Sequence, residues 1–119
     1  MAITVLAQSA TVEGLRDHGV PPHPLSEPPC ALRQLDVPMV GMGANRTGIW
    51  ESQPGKFRRV ATSAEVMHVL SGSMTFTPVQ GEPVTVRAGD SLFFSANTLG
   101  EWQVHETVRK LFVVFPAAT

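Results

Sequence analysis

One carboxylate, Glu65, stands inside a segment that otherwise has the pattern of a buried β-strand. The stretch VATSAEVMHVLSG, residues 60–72, surrounds it with apolar residues, and Met67 and Val69 would share its strand face. A carboxylate in such surroundings is costly in free energy unless a cation, a hydrogen-bond donor or a metal compensates it. Glu65 therefore lies either at the rim of the fold or in a site.

The histidines could also do chemistry, but their spacing does not favour a shared site. His68 follows Glu65 by three residues, so it points to the opposite strand face unless a bulge reverses it. His105 falls on the polar side of the alternating segment EWQVHE. His18 and His23 are separated by four residues that include two prolines, which is a weak spacing for a ligand pair.

The composition predicts one domain and excludes several classes of protein. A chain of 119 residues can bury a single core, and a net charge of -1 with scattered basic residues argues against nucleic acid as a partner. The apolar start MAITVLAQSA is too short for a signal peptide, and no apolar run approaches the ~20 residues needed to span a bilayer. The single cysteine, Cys30, excludes an internal disulfide and a multi-cysteine zinc site, and it favours a cytoplasmic location.

The order of segments predicts an all-β sandwich or barrel behind an irregular N-terminal arm. Within residues 1–33, ITVLA has the pattern of an edge strand, TVEGLRDHGV that of a short helix ending at Gly19, and PPHPLSEPP that of an extended surface run. Residues 34–119 hold the expected core in short β-branched and aromatic segments: RQLDVPM, TGIWESQ, KFRRVAT, AEVMHVLSG, SMTFTPV, EPVTVRAG, DSLFFSA, EWQVHE and TVRKLFVVF. Alternation places Met74 and Phe76, and likewise Trp102 and Val104, on one side.

Several of these segments together resemble a known family. The stretch EVMHVLSG, the turn QGEP and the run RAGDSLFFSANTLGEWQVHETVRK resemble the two motifs of the cupin superfamily. GIWESQPGKF, GDSLFF and GEWQVHETVRK resemble more closely the small cupins named for their similarity to (S)-ureidoglycine aminohydrolase. The resemblance covers about residues 48–115 and implies a single cupin domain, a jelly-roll-like double-sheet β-barrel.

The resemblance also implies where metal ligands would stand, and most are missing. Metal-dependent cupins use His-x-His, a Glu and a further His, and Glu65 matches the Glu. The histidine pair would fall at Arg58 and Val60, or at Arg59 and Ala61 if the gap is shorter, and the last His would fall at Gly100. One carboxylate does not make a transition-metal site, so we expect no metal and no other cofactor.

Arg58 and the tryptophans are then the candidates for a metal-free pocket. Arg58 could neutralise Glu65, although KFRR also has the pattern of a solvated basic surface. Trp50 and Trp102 either pack in the core or form the flat wall of a pocket, in which the glycine at 100 would leave space. Arg109 and Lys110 are adjacent on a strand, so at most one of them faces inward.

Three functional interpretations remain open at this point. The leading one is a cupin that binds an unidentified small molecule without a metal, in a pocket marked by Glu65, Met67, Trp102, Arg58, Trp50 and Gly100. The second is a metal-dependent enzyme of purine breakdown like ureidoglycine aminohydrolase, and the third is a non-catalytic assembly subunit. Whether the protein is an enzyme is not determined by the sequence. We expect a homodimer, in which ITVLA would cross to the partner's sheet.

Overall fold

Two long strands, β5 (Ala64–Pro78) and β8 (Gly100–Phe115), run antiparallel side by side and organise the fold in the computed structural model, which describes residues 2–117. The other elements are shorter, namely a 3-10 helix (Ser9–Thr11), β1 (Arg16–Asp17), β2 (Leu32–Asp36), β3 (Arg46–Ser52), β4 (Gly55–Arg59), β6 (Val84–Arg87) and β7 (Ser91–Phe94). All strand pairs are antiparallel. The all-β architecture expected from the sequence is confirmed, and it is consistent with a jelly-roll-like barrel.

The two long strands each belong to both halves of the barrel. The second half of β8 lies between β3 and the first half of β5, which also pairs with β7. The first half of β8 lies between β4 and the second half of β5, which also pairs with β6. Register shifts between Val69 and Met74 mark the bend in β5 that separates these halves.

Gly72 is required at this bend for a steric reason. Its φ of +80° lies in the left-handed region, and a Cβ there would collide with the backbone oxygen of Thr107 on the neighbouring strand β8. The two predicted segments AEVMHVLSG and SMTFTPV are therefore one continuous strand with a bulge at the glycine. The segments EWQVHE and TVRKLFVVF likewise merge into β8.

The core lies between the two halves and follows the predicted alternation. Met74, Phe76, Trp102 and Val104 are all buried on the inner face. Three aromatic rings from three strands pack at its centre, with the ring of Phe76 4.8 Å from that of Phe94 and 4.9 Å from that of Trp102.

The N-terminal arm differs from its prediction. ITVLA is not a strand: Ile3 and Val5 are exposed, and the short strand β1 pairs with β2 at the sheet edge instead. TVEGLRDHGV is not helical because Gly14, at φ +101°, interrupts it, and the only helical turn within residues 2–117 is at Ser9–Thr11. The arm also contributes Cys30 and Leu32 to the core, which therefore begins before residue 34. No helix in the described part of the chain is long and apolar enough to cross a bilayer.

Candidate functional site

Glu65 lies at the start of β5, between Phe94 of β7 and Val114 of β8 in the strand register. Its side chain is 11% exposed, so its charge is largely removed from water. Oε1 accepts a hydrogen bond from Arg59 Nη2 at 3.3 Å, and Oε2 accepts one from Lys110 Nζ at 3.2 Å. The carboxylate is thus compensated by two cations, one on each oxygen.

Arg59, at the end of β4, is fixed by several acceptors at once. Its Nη1 donates to the backbone oxygens of Thr98 at 2.7 Å and Ala61 at 3.0 Å, and its Nη2 donates to that of Ser63 at 3.4 Å. The guanidinium carbon lies 4.8 Å from the centre of the Phe94 ring. Arg59 therefore serves as a rigid, permanently charged partner for Glu65.

Lys110 lies on β8 opposite Trp50 of β3, and its amine has fewer hydrogen-bond partners than the guanidinium of Arg59. Its Nζ lies 3.1 Å from the sulfur of Met67 and 4.6 Å from the centre of the Trp50 ring, and its side chain is 9% exposed. Burial lowers the pKa of Lys110 below the usual lysine value. Glu65 acts in the opposite direction, while the nearby Arg59 adds to the lowering.

These groups lie at a small cavity of about 190 Å³. It is lined by Gln34, Arg46, Trp50, Phe57, Arg59, Ala61, Glu65, Trp102, Lys110, Phe112 and Val114. Three cationic side chains and one carboxylate thus share a space whose walls are otherwise mainly aromatic and aliphatic. An excess of positive charge beside apolar walls suits a small anion that has an apolar body.

The structure brings together some of the residues predicted from the sequence. Glu65, Trp50 and Trp102 line the cavity, and Met67, which is buried beside them, touches the Lys110 amine. Of the adjacent pair at 109 and 110, only Lys110 faces this interior. The sequence interpretation did not name Lys110 as a partner of Glu65. An even number of positions separates Lys110 from Trp102 on the same strand, so strand alternation predicts that both side chains face inward.

Arg58 is not the partner of Glu65, and that prediction is wrong by one residue. Neighbouring strand residues face opposite ways, so in β4 the side chain of Arg59 points inward while that of Arg58 is exposed. Arg58 lines instead a second, larger surface depression of about 480 Å³, beside Arg59, Pro78 and Leu99. This depression contains no part of Glu65 or Lys110.

Gly100 also lies outside the cavity and lines the same depression as Arg58, and its backbone leaves no room for a side chain. It is buried against β5, where an added Cβ would come 2.7 Å from the Phe76 ring and would collide with the backbone oxygen of Thr77. A histidine at this position would have no room. Phe76 occupies the volume that the sequence interpretation assigned to a ligand.

The histidines lie where strand alternation places them. His68 faces away from Glu65, and its Nδ1 is 2.8 Å from the hydroxyl of Ser91. His105 is exposed, with its Nε2 2.6 Å from the hydroxyl of Thr75. Neither ring reaches the cavity.

The residues at this site do not fit the metal of metal-dependent cupins. Within residues 2–117 there is no group of three or more His, Cys, Asp or Glu side chains that could hold a metal ion. Both oxygens of Glu65 are already bonded to cations. The chemistry of this donor set is therefore that of an ion-pair cluster.

A second buried carboxylate, Glu51, lies on the opposite face of β3 from Trp50. Its oxygens accept hydrogen bonds from Arg33 Nε at 2.7 Å and from Arg109 Nη2 at 3.0 Å. The Arg33 bond, and after it the Arg109 bond, holds the pKa of Glu51 below its usual value, although burial acts against them. Arg109 Nη1 also donates to the backbone oxygen of Val12 at 2.8 Å, so this cluster fastens the N-terminal arm to the barrel.

Solved structures with the same fold support this architecture. A protein of unknown function of the DUF861 family from Pseudomonas syringae pv. tomato superposes with a TM-score of 0.77 at 24% identity, over 87% of this chain and 45% of that one. This chain thus spans less than half the length of the Pseudomonas protein. The EutQ protein of Clostridium difficile superposes with a TM-score of 0.65 at 18% identity, over 82% of this chain and 79% of that one.

A putative ethanolamine utilization protein Q from Salmonella typhimurium is also similar, with a TM-score of 0.63 at 24% identity over 74% of this chain and 72% of that one. At such identities the likeness shows the fold alone. No curated protein matches the chain significantly. Residues 41–112, however, match the family model of the EutQ-like cupin domain. The predicted resemblance to the cupin superfamily is thereby confirmed, and, since the matched residues make up more than half of the chain, this protein belongs to the family of the EutQ-like cupin domain.

Proposed function

We propose that this protein binds a small organic anion in the cavity beside Glu65, without a metal. The observation that carries the proposal is the charge of the lining: three cations, Arg46, Arg59 and Lys110, line the cavity together with one carboxylate. Arg59 and Lys110 together outweigh Glu65 by one positive charge, and Arg46 adds another. An anionic ligand would balance this excess.

The size and walls of the cavity narrow the class of ligand. A volume of about 190 Å³ equals that of roughly six water molecules in the liquid, at ~30 Å³ each. A carboxylate of three or four carbons fits this space. Trp50, Phe57, Trp102 and Phe112 would cover its apolar part, while Gln34 and the cations would receive its oxygens.

Tryptophan fluorescence can test this proposal directly, because the only two tryptophans, Trp50 and Trp102, both line the cavity. The protein is titrated with propionate, propylamine and propanol, which have similar size but carry negative, positive and no charge. We expect a saturable fluorescence change with propionate and none with the other two. Equal responses to all three compounds, or no response to propionate, would refute an anion site.

The narrower resemblance to ureidoglycine aminohydrolase gains no support from this geometry. That activity would require a bound divalent cation, and the donor set described above does not supply its ligands. The ion pairs of Glu65 favour ligand binding over metal-dependent hydrolysis.

We also propose that a second copy of the chain covers the outer face of the sheet formed by β7, β5 and β8. Phe93 is 76% exposed there, and Leu111 and Phe115 are also exposed. Val66 lies beside Phe93 and Val113 in the strand register, so the apolar patch continues across three strands, and His68 and Ser91 border it in the row of Leu111. Such a neutral apolar surface is complementary to itself, as a two-fold interface requires.

A further inference from the structure

Lys110 is a primary amine at the wall of a cavity large enough for a small organic ligand. Its Nζ lies 3.2 Å from a carboxylate oxygen of Glu65, which can accept and return a proton. We propose that this amine captures the carbonyl group of a small 2-oxo acid as an imine. This inference rests on the proposed anion site and names its ligand class.

The charges around Lys110 favour an amine that can release its proton. Glu65 on β5 and Arg59 on β4 act on its charge, and the exposed Arg46 on β3 lines the same cavity. An arginine stays protonated, so the carboxyl group of Glu65 keeps a cationic partner in Arg59 when the proton moves off Lys110. Burial, with a smaller contribution from Arg59, lowers the pKa of Lys110 in the same direction, against the opposing effect of Glu65.

The reaction balances without any oxidant or reductant. Lys110 passes one proton to Glu65, and the neutral Nζ attacks the carbonyl carbon, whose π electrons move to oxygen as the C–N bond forms. The oxygen receives a proton from nitrogen, which gives a carbinolamine. Glu65 then returns its proton to that hydroxyl, and the C–O bond breaks to release water. The product is an iminium ion, which keeps one positive charge beside Glu65.

The 2-oxo acid class follows from the remaining lining residues. The ligand must present a carbonyl carbon to Nζ and a negative group to Arg46 and Gln34, which line the same space. Pyruvate has six non-hydrogen atoms, which agrees with a cavity of about 190 Å³. Trp50 and Trp102 would cover its methyl group.

The chain offers an unusually simple test, because it contains only two lysines, Lys56 and Lys110. The protein is incubated with pyruvate and cyanoborohydride, which reduces an imine to a stable secondary amine, and the adduct is located by peptide mass mapping. Lys56, whose side chain is half exposed in an ion pair with Glu101, is the internal reference, together with the α-amine. We expect Lys110 to be modified at least about tenfold faster than Lys56, because a desolvated lysine amine is the more reactive nucleophile.

Two variants and one competitor separate the possible outcomes. Lys56→Arg should leave the main adduct unchanged, and Lys110→Arg should abolish it; if Lys110→Arg does not fold, the mapping of the unaltered protein decides alone. Adducts confined to Lys56 and the α-amine would overturn carbonyl capture. If propionate binds but Lys110 stays unmodified, the anion site stands and the capture fails. If Lys110 is modified and propionate neither binds nor protects it, the capture stands and the proposed anion site fails.

Discussion

Lys110 Nζ donates a hydrogen bond to Glu65 Oε2 at 3.2 Å, across the two central strands of the barrel. The two residues are not register partners, since Glu65 lies opposite Val114 and Lys110 lies opposite Val69. Their side chains meet because both project to the inner face. With Arg59 on the other oxygen, both oxygens of this carboxylate are bonded to cationic side chains.

Glu65 should be energetically coupled to both of its cationic partners. We expect double-mutant cycles in denaturant to give coupling energies of about 0.5 to 3 kcal/mol for Glu65→Gln with Arg59→Met and for Glu65→Gln with Lys110→Met, because each pair is in direct, largely buried contact. Arg58→Met is the matched control, and its coupling to Glu65→Gln should be within error of zero, because its side chain is exposed. A larger coupling for Arg58 than for Arg59 would reverse the assignment.

The Lys110 amine should titrate below the usual lysine value. Its pKa can be followed from the ¹³Cε chemical shifts of the two lysines. Since the folded pKa is lowered, the unfolded chain binds more protons between that pKa and about 10.4, so this group makes stability rise with pH in that window. Glu65→Gln removes the opposing carboxylate and should lower the pKa further. An increase of the Lys110 pKa in this variant would contradict the account.

Glu51 should make the fold sensitive to acid. Its folded pKa is lowered, first by the Arg33 bond, so its contribution to stability is present above the unfolded value of about 4.3 and is lost as the pH falls through the folded pKa. The difference in unfolding free energy between the unaltered protein and Glu51→Gln should therefore shrink from pH 6 to pH 3. Glu82→Gln, at an exposed turn residue, is the control. A difference independent of pH would mean that Glu51 is not held in its charged form.

The purified protein should contain no stoichiometric transition metal. The ligand positions of metal-dependent cupins are occupied here by residues that cannot replace them, and Glu65 is bonded to two cations. Mass-spectrometric metal analysis after mild chelation should find well under one metal per chain. One Mn, Fe, Ni or Zn ion per chain would show that other residues form a metal site.

The outer apolar patch should make the protein a dimer. Light scattering at micromolar concentration should give twice the mass of the chain, and Phe93→Asp should reduce it to one chain by placing a charge in the patch. Val79→Asp, at another exposed valine in a turn, should leave the dimer intact. A monomeric mass for the unaltered protein would exclude this interface.

The sequence was sufficient for the fold and for some of the residues that line the cavity. The alternation in SMTFTPV and EWQVHE identified the inner face, and Glu65, Met67, Trp50 and Trp102 were found from their residue types within these strands. The partners of Glu65 could not be assigned because they depend on register. A shift of one residue in β4 exchanges Arg58 for Arg59 on the inner face. Lys110 is 45 residues from Glu65 in the sequence, and the register of its strand β8 against β5 is interrupted by bulges.

The N-terminal arm was predicted poorly for a different reason. ITVLA has β-propensity, but a strand forms only where a neighbour accepts its backbone hydrogen bonds, and β1 takes the place beside β2. The prediction that Gly100 leaves space for a ligand was wrong for a comparable reason. A glycine leaves space only if no neighbour fills it, and the Phe76 ring does so here.

The central claim, that the cavity beside Glu65 is an anion site, is tested most directly by the affinity for propionate of two arginine variants. Arg46→Gln removes a cation that lines the cavity, and Arg58→Gln removes one that lines only the neighbouring depression, with the same change in total charge; both side chains are exposed. An exposed charge pair contributes up to about 1 kcal/mol, so Arg46→Gln should weaken binding up to about fivefold while Arg58→Gln leaves it unchanged. Equal weakening in both variants would mean that propionate responds only to the total charge of the protein. No weakening in either variant would contradict the proposal of an anion site in this cavity.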